Sequence, residues 1–278
     1  MIKRILVPVD FSGTAANAVR YALAFGKSLG EAEVRIAHVF MPQVDSDYPN
    51  FIPPMPEFVN FRHKMLEDFC EEIEEIKHLD GMLLEKEIWI GFPADELVRH
   101  SGEYDLIVMG TTGEGGLLNK VFGSVSTAVA QRADCPVILV PNEAVYSRIN
   151  RVLYAGHYDA ADTRMVEQLL AFNEQFHACI HFVNVSDPDA KANRFEQEKE
   201  QIFSVLFREG EPSFAFEIAE LEGDSVAGTL NDYAEKHKTE LIVLVTRRRN
   251  FWEQLFHKSV TRGLVRITQQ PLMVLHLV

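Results

Sequence analysis

The sequence predicts an α/β protein made of two tandem doubly wound domains, each a mostly parallel five-stranded sheet flanked by helices. Short apolar strand patterns alternate with helical patterns along the chain, which is typical of parallel sheets. The series then restarts near Arg151, and residues 270–275 repeat residues 135–140 at an offset of 135 positions. An internal duplication accounts for this spacing. We therefore predict domains at residues 1–146 and 147–278.

In the first half, residues 5–9 are apolar throughout, as expected of a parallel strand that is buried on both faces. Helical spacing of small and apolar residues follows over residues 14–29, with Ser12 or Thr14 as the candidate N-cap. Five prolines between residues 41 and 57 exclude a helix or a central strand and predict a long loop. The remaining predicted elements are strands at 34–40, 83–90, 106–109 and 135–141, and helices at 61–79, at 94–100 and from Ser124 onward.

The second half echoes the first. Strand patterns at residues 151–155 and 241–245 match those at 3–7 and 106–110, and a helical pattern at 165–176 matches the first helix. Further strands are predicted at residues 179–185, 214–221 and 270–275.

Composition limits the function classes. The 278 residues contain 27 Lys plus Arg against 41 Asp plus Glu, a formal net charge of −14. Such a charge repels phosphate backbones and anionic lipid, so we expect neither nucleic-acid nor membrane binding. The amino-terminal apolar run is too short for a signal peptide, and no stretch approaches the roughly 20 apolar residues of a membrane span. The cysteines, Cys70, Cys135 and Cys179, form no spaced pair and are interpreted as core residues in a reducing, cytoplasmic protein.

Glycines gather where a ligand is expected. In doubly wound sheets the ligand lies beyond the carboxyl ends of the strands, where the strand order reverses. Asp10 comes just after the first strand and Gly110 just after the fourth, and Gly113 and Gly123 follow before a helical pattern. Glycine lets a ligand approach the backbone, and a helix N-terminus attracts anions. The pattern predicts a phosphate site, with ordinary turn chemistry as the alternative; neither the Walker nor the Rossmann spacing is satisfied.

The spacing Gly110-x2-Gly113-x9-Gly123-Ser124 resembles the nucleotide-binding signature of the universal stress protein family. The flanking segments at residues 108–110 and 135–141 and the amino-terminal segment at 5–12 are similar too. The resemblance covers the whole chain as a tandem of two such domains with an adenine nucleotide alpha hydrolase-like fold. The signature is complete only in the first half.

The resemblance implies ATP in the first cleft, with Mg²⁺ (or Mn²⁺) held through the phosphates rather than by protein ligands. Asp10 would bond the ribose hydroxyls, although a turn-forming role is the alternative. Val39 would meet adenine, unless it belongs simply to the core. One wall of the nucleoside site would be formed by Pro8 and Val9, and the phosphate-binding turn by Met109, Gly110, Thr112 and Gly113. Phosphate donors would be Gly123, Ser124, Val125 and Ser126.

The second half departs from this signature. Val245, Arg248 and Lys258 stand in place of the three glycines, and His157 stands in place of Asp10, so ATP is not expected there. The run 247–249 is basic and would either hold a different anion or form a solvated turn.

Other residues of the second half give weaker signals. Phe251 and Trp252 beside the basic run indicate an apolar lip or, equally, a contact between the domains. His177, His181 and His257 lack metal-ligand spacing and are interpreted as scattered core or surface residues.

The function implied is that of an ATP-binding regulatory protein of the stress response, in which ATP acts as a switch toward an unknown protein partner. No catalytic residue is identified. The alternatives are a slow ATPase, or an interaction scaffold or carrier whose second domain binds a different anionic or lipid-like ligand. Residues 137–140 and 272–278 would pair the halves internally as a pseudo-dimer, with a homodimer of whole chains as a further option.

Overall fold

The computed structural model describes residues 2–30, 32–42, 55–77, 82–111, 123–155, 163–186, 193–208, 210–223, 226–246 and 270–276. The chain divides into two compact units, Ile2–Tyr146 and Ser147–Val278. Each is an α/β structure with a five-stranded parallel sheet. The predicted fold class is confirmed.

The first unit has the strand order β3-β2-β1-β4-β5. All its pairings are parallel, and β1 lies between β2 and β4. The chain therefore reverses its direction of progress across the sheet at β1, which places a switch point between β1 and β4. The elements are β1 (Arg4–Pro8), α1 (Gly13–Leu29), β2 (Glu33–Phe40), α2 (Met55–Glu71), α3 (Glu74–Lys77), β3 (Leu84–Ile90), α4 (Pro93–His100), β4 (Leu106–Gly110), α5 (Ser124–Arg132) and β5 (Val137–Val140).

Helices cover both faces of this sheet. Val34 of β2 faces Gly26 of α1, whereas the next residue, Arg35, lies against Tyr104, which follows α4. Because successive strand residues point to opposite faces, α1 and the segment after α4 lie on opposite sides. Residues 5–9, in and just after the central strand β1, are accordingly all buried, as predicted.

The helix predicted at residues 61–79 is placed differently. It begins at Met55, with Pro56 in the first turn, where a missing N–H costs no hydrogen bond. It ends at Glu71, because the Ile73 N–H bonds the Cys70 carbonyl three residues back (3.1 Å), a tighter turn that buries Ile73. The predicted loop at 41–57 therefore stops before Met55, and residues 43–54 lie outside the described part.

The second unit repeats this topology, with the strand order β10-β9-β6-β7-β8. Its pairings are likewise parallel. The helices α7 and α8, for which the sequence patterns set no bounds, complete the alternation. The elements are β6 (Arg151–Ala155), α6 (Thr163–Asn173), β7 (Cys179–Ser186), α7 (Asn193–Leu206), β8 (Phe216–Glu222), α8 (Val226–His237), β9 (Leu241–Thr246) and β10 (Leu272–His276).

In each unit, one described carboxylate accepts hydrogen bonds from two successive backbone N–H groups. Asp105, just before β4, accepts the backbone N–H groups of Lys3 and Arg4 at 2.8 and 2.9 Å. Glu240, just before β9, accepts those of Asn150 and Arg151 at 3.1 and 2.7 Å. Both carboxylates fix the start of the central strand of their sheet, and the repetition of this detail supports the duplication.

The cysteines of the first unit behave as core residues. Burial raises the pKa of the Cys70 thiol to about 11 and that of Cys135 to about 12. Cys179 in the second unit is partly exposed, and all three are free thiols. Across the described residues, no helix is both long enough and apolar enough to span a membrane.

Candidate functional site

The turn between β1 and α1 is held by its own side chains. Ser12 caps α1 by accepting the Ala15 N–H at 3.1 Å, as one of the two predicted caps. The Asp10 Oδ1 accepts both the N–H and the hydroxyl of Ser12, at 3.2 and 2.6 Å. This is the turn-forming role that was the alternative for Asp10. The Asp10 side chain is exposed at the carboxyl end of β1.

Phe11, between these two residues, has a left-handed backbone with φ of 66°. Such a conformation is costly for a bulky residue and persists only where the surroundings enforce it. The Phe11 ring packs on His38, with ring centroids 4.3 Å apart, and edge-on against Phe69 at 5.6 Å. These contacts hold the turn, and with it Asp10, at the edge of the sheet.

Gly110, at the end of β4, is required by packing. A β-carbon at this position would lie 2.7 Å from the Thr14 methyl carbon and 3.1 Å from the Thr14 carbonyl carbon and oxygen. The first turn of α1 therefore rests directly on the end of β4. This contact confirms that the turn after β1 and the end of β4 meet at one edge of the sheet.

Hydrogen bonds join Thr111 at the end of β4 to Gly123 and Ser126 at the start of α5. The Thr111 carbonyl accepts the Gly123 N–H at 2.7 Å and the Ser126 hydroxyl at 2.9 Å. Thr111 and Ser126 are buried. Residues 112–122, including the predicted site residues Thr112 and Gly113, lie outside the described part. The residues on either side of this range, Thr111 and Gly123, are joined directly by that backbone hydrogen bond.

Helix α5 begins at this edge. Gly123 is its N-cap and, having no side chain, gives the first-turn amides no capping hydrogen bond of its own. Ser124 is exposed, Val125 is half-buried, and the Ser126 hydroxyl already bonds inside the protein. Gly123 has φ of −69°, which any residue can adopt, so the local backbone does not require glycine there. Amides at helix N-termini attract anions, and α1 begins at the same edge.

The predicted apolar walls are buried at the strand ends. Pro8 ends β1, Val39 lies one residue before the end of β2, and Met109 one residue before the end of β4. Val9 donates its N–H to the Ala37 carbonyl at 2.9 Å, which extends the pairing of β1 with β2 by one residue. All four side chains line the sheet close to its carboxyl edge.

His38 of β2 is a candidate that the sequence analysis did not identify. Its Nδ1 donates to the Val9 carbonyl at 2.9 Å, while its buried Nε2 has no hydrogen-bond partner within the described structure. Burial lowers the pKa of His38; the neighbouring Arg62 lowers it further, whereas the Val9 carbonyl and Asp10 raise it. A single histidine among the apolar residues 36–40 at the end of β2 was the available signal. Its importance depends on the turn that folds over it.

The matching edge of the second unit is described only in part. Val245 lies in β9. It pairs with Leu275 of β10 as Gly110 pairs with Val140 of β5. His157, Arg248 and Lys258 lie outside the described residues, as do the basic run at 247–249, Phe251 and Trp252, and His257.

Comparison with known proteins identifies the family. The model of the universal stress protein family matches residues 1–141 and again 149–276. Two proteins of Methanocaldococcus jannaschii, universal stress proteins MJ0531 and MJ0577, are each 31% identical to this chain. Their alignments cover 50% of this chain and 82% and 95% of theirs, respectively.

A solved universal stress protein from Archaeoglobus fulgidus covers 98% of this chain and 98% of its own, with a TM-score of 0.71 at 20% identity. At that identity the likeness concerns the fold alone. The family matches, taken with the repeated topology, carry the assignment. The chain belongs to the universal stress protein family and contains two of its domains in tandem.

Proposed function

We propose that the first unit binds ATP, with Mg²⁺ (or Mn²⁺) carried by the phosphates, and that the nucleotide acts as a regulatory switch. The carrying observation is the hydrogen bond between Gly123 and the Thr111 carbonyl. It brings the N-terminus of α5 to the end of β4, beside the turn that holds Asp10. Two helix N-termini and an exposed carboxylate then share one edge of the sheet.

The groups at this edge suit the parts of ATP. The amides of Ser124 and Val125 and the exposed Ser124 hydroxyl are donors for phosphate oxygens. Asp10 is exposed at this edge, and a ribose hydroxyl would donate to its carboxylate. The buried strand ends at Val9 and Val39 offer an apolar surface to adenine. Ser126 would not donate to the phosphates itself. Its hydroxyl donates to the Thr111 carbonyl and so holds the start of α5 against the end of β4.

Titration calorimetry with Mg²⁺ and ATP tests the proposal. We expect one site per chain, lost in Gly123→Val, because a valine side chain would crowd the phosphate position. Ser124→Ala should weaken ATP binding about 10-fold, the loss of one hydrogen bond to a charged group. Thr127→Ala is the matched control: it removes a hydroxyl from the same helix beyond the first turn, and should leave the affinity unchanged.

Two equal sites per chain, or full binding by Gly123→Val, would contradict the proposal. Steady-state phosphate release by the same protein separates a switch from a slow ATPase. A switch also requires a response in the protein, since a ligand shifts only an equilibrium whose states it binds differently. Hydrogen exchange should therefore slow over residues 112–122 when ATP is added, and unchanged exchange there would refute the regulatory part.

A further inference from the structure

Three metal-ligating side chains meet in the second unit, far apart in sequence. His181 of β7 lies directly opposite Glu217 of β8 in the parallel register. His237 is the last residue of α8. One ligand atom from each lies within 4.8 Å of the others, and the His181 Nδ1 is 3.5 Å from a Glu217 carboxylate oxygen. We call these three residues the His181 cluster.

At the position of the first unit that corresponds to His181, the side chain is a permanently charged arginine, Arg35. Arg35 pairs with Leu6 in the sheet register as His181 pairs with Leu153. The Arg35 guanidinium binds Glu85, the residue opposite it on β3, and also contacts Glu87 at 3.0 Å. The position is therefore built around a positive charge between carboxylates.

The second unit keeps the carboxylate but not the guanidinium. Glu217 stands where Glu85 stands, and His181 stands where Arg35 stands. Among the described residues, the basic side chains that act electrostatically on His181 are His237 and Arg151, which lies in β6. A cation bound between two imidazoles and a carboxylate would restore the charge that Arg35 supplies in the first unit.

The distances suit a small divalent ion. Zinc binds nitrogen at about 2.0–2.1 Å and carboxylate oxygen at about 2.0–2.2 Å, so tetrahedral ligand atoms lie about 3.4 Å apart. The separation of 3.5 Å between His181 and Glu217 is already close to this value. The Glu217 side chain is 58% exposed and His237 is half-buried, so both have room to adjust. The exposed carboxylate also leaves an entry path from solvent.

The surroundings orient the ligands. The Tyr233 ring stacks on His237 with centroids 4.0 Å apart, and its hydroxyl lies 3.1 Å from the His181 Nδ1. The stacked ring holds the orientation of the His237 imidazole, and a metal ion on the His181 Nδ1 would take the place of the hydrogen bond to Tyr233. His237 also ends α8, where the carbonyl end of the helix favours a positive charge.

We propose that the second unit binds one divalent transition-metal ion of the Zn²⁺ class through His181, Glu217 and His237. Imidazole and carboxylate together suit Zn²⁺ and its first-row neighbours rather than Mg²⁺ or Ca²⁺. The ion ties the end of α8 to strands β7 and β8. This site is separate from the nucleotide edge of the first unit and does not depend on it.

The test uses full-length, untagged protein stripped of metal with EDTA. Zn²⁺ is titrated in competition with a chromophoric chelator, and Co²⁺ is added separately, because tetrahedral Co²⁺ absorbs visible light. We expect one tight ion per chain. Glu217→Gln and His237→Gln should each weaken it by at least about 100-fold, more than the loss of a supporting residue. Both residues are solvent-accessible, so these variants should fold, unlike changes at buried His181.

Two matched controls lie in the same unit. Glu220→Gln changes the opposite face of β8, and His177→Asn changes an exposed histidine whose left-handed backbone suits asparagine. Neither should alter the affinity, and Gly123→Val should retain the ion even where ATP binding is lost. The proposal would be overturned if the wild type bound no tight ion, or if Glu217→Gln and His237→Gln bound the ion as tightly as the wild type.

Discussion

Gly110→Ala tests whether the signature glycine at the end of β4 serves packing as well as ligand approach. The added methyl group would lie 2.7 Å from the Thr14 methyl carbon and 3.1 Å from two backbone atoms of Thr14, against ordinary contacts of 3.4–4 Å. Thr14 is buried, and its hydroxyl lies 3.4 Å from the Asn142 side-chain oxygen. Overpacking of this kind costs about 1–3 kcal/mol, so we expect a loss of about 2 kcal/mol without nucleotide.

Urea unfolding measures this loss in the first unit alone. The chain has two tryptophans, and Trp89 lies in β3 of the first unit. A Trp252→Phe background therefore makes the fluorescence change report that unit, which avoids assuming a single transition for both. The midpoint should fall in Gly110→Ala with little change in the slope, as expected when stability rather than compactness changes.

Thr14→Ser supplies the control, because it removes the methyl group and keeps the hydroxyl. In the Gly110→Ala background it should recover about 1 kcal/mol, roughly half the loss, since the backbone contacts remain. The reasoning is refuted if Gly110→Ala leaves the stability of the nucleotide-free protein unchanged, or if Thr14→Ser recovers nothing. Unchanged stability with weakened ATP binding would assign the glycine to the ligand alone.

Three further predictions concern stability, two of them in the first unit and one in both units. His38 is buried with a lowered pKa, so the unfolded chain takes up the proton first; its contribution to stability is complete above about pH 6.5 and falls as the pH drops below that value toward the folded pKa. Urea unfolding at several pH values measures the free energy of unfolding of the wild type and of His38→Phe. The wild-type value relative to that of His38→Phe should therefore decrease as the pH falls from 7.5, and a pH-independent difference would contradict this. Asp105→Ala should cost about 1–3 kcal/mol, because two backbone N–H groups lose a charged acceptor; Glu240→Ala should act similarly in the second unit, and thermal unfolding measures both. Ser12→Ala should cost about 1 kcal/mol through the lost cap of α1, whereas an unchanged unfolding midpoint would show that the cap is dispensable.

The fold was largely predictable because its signals are local. Uniformly apolar runs indicate strands buried on both faces, and helical spacing marked α1, with Ser12 or Thr14 as its cap. The misplacement of α2 has the same origin: the apolar spacing continues through Ile73 and Ile76, but the backbone tightens at Ile73 and α2 ends at Glu71. Pro56 suggested a loop, although the first turn of a helix accepts proline.

The site was predictable only as an edge of the sheet. The order of strands brings Asp10 and Gly110 together in any doubly wound sheet, so their meeting followed from the pattern. That Asp10 is engaged by Ser12, that Ser126 holds the Thr111 carbonyl, and that His38 lies under Phe11 depend on side-chain rotamers and one left-handed residue. No periodicity in the sequence reports these.

The sequence by itself determined the alternation of elements, the duplication and the glycine signature, because each is written in the spacing of neighbouring residues. Only the tertiary structure decided that Gly110 is required by Thr14 and that His181, Glu217 and His237 form one cluster. Those contacts join residues 20 to 96 positions apart, and the register between strands and the docking of a helix set them. Spacing along the chain carries no trace of either.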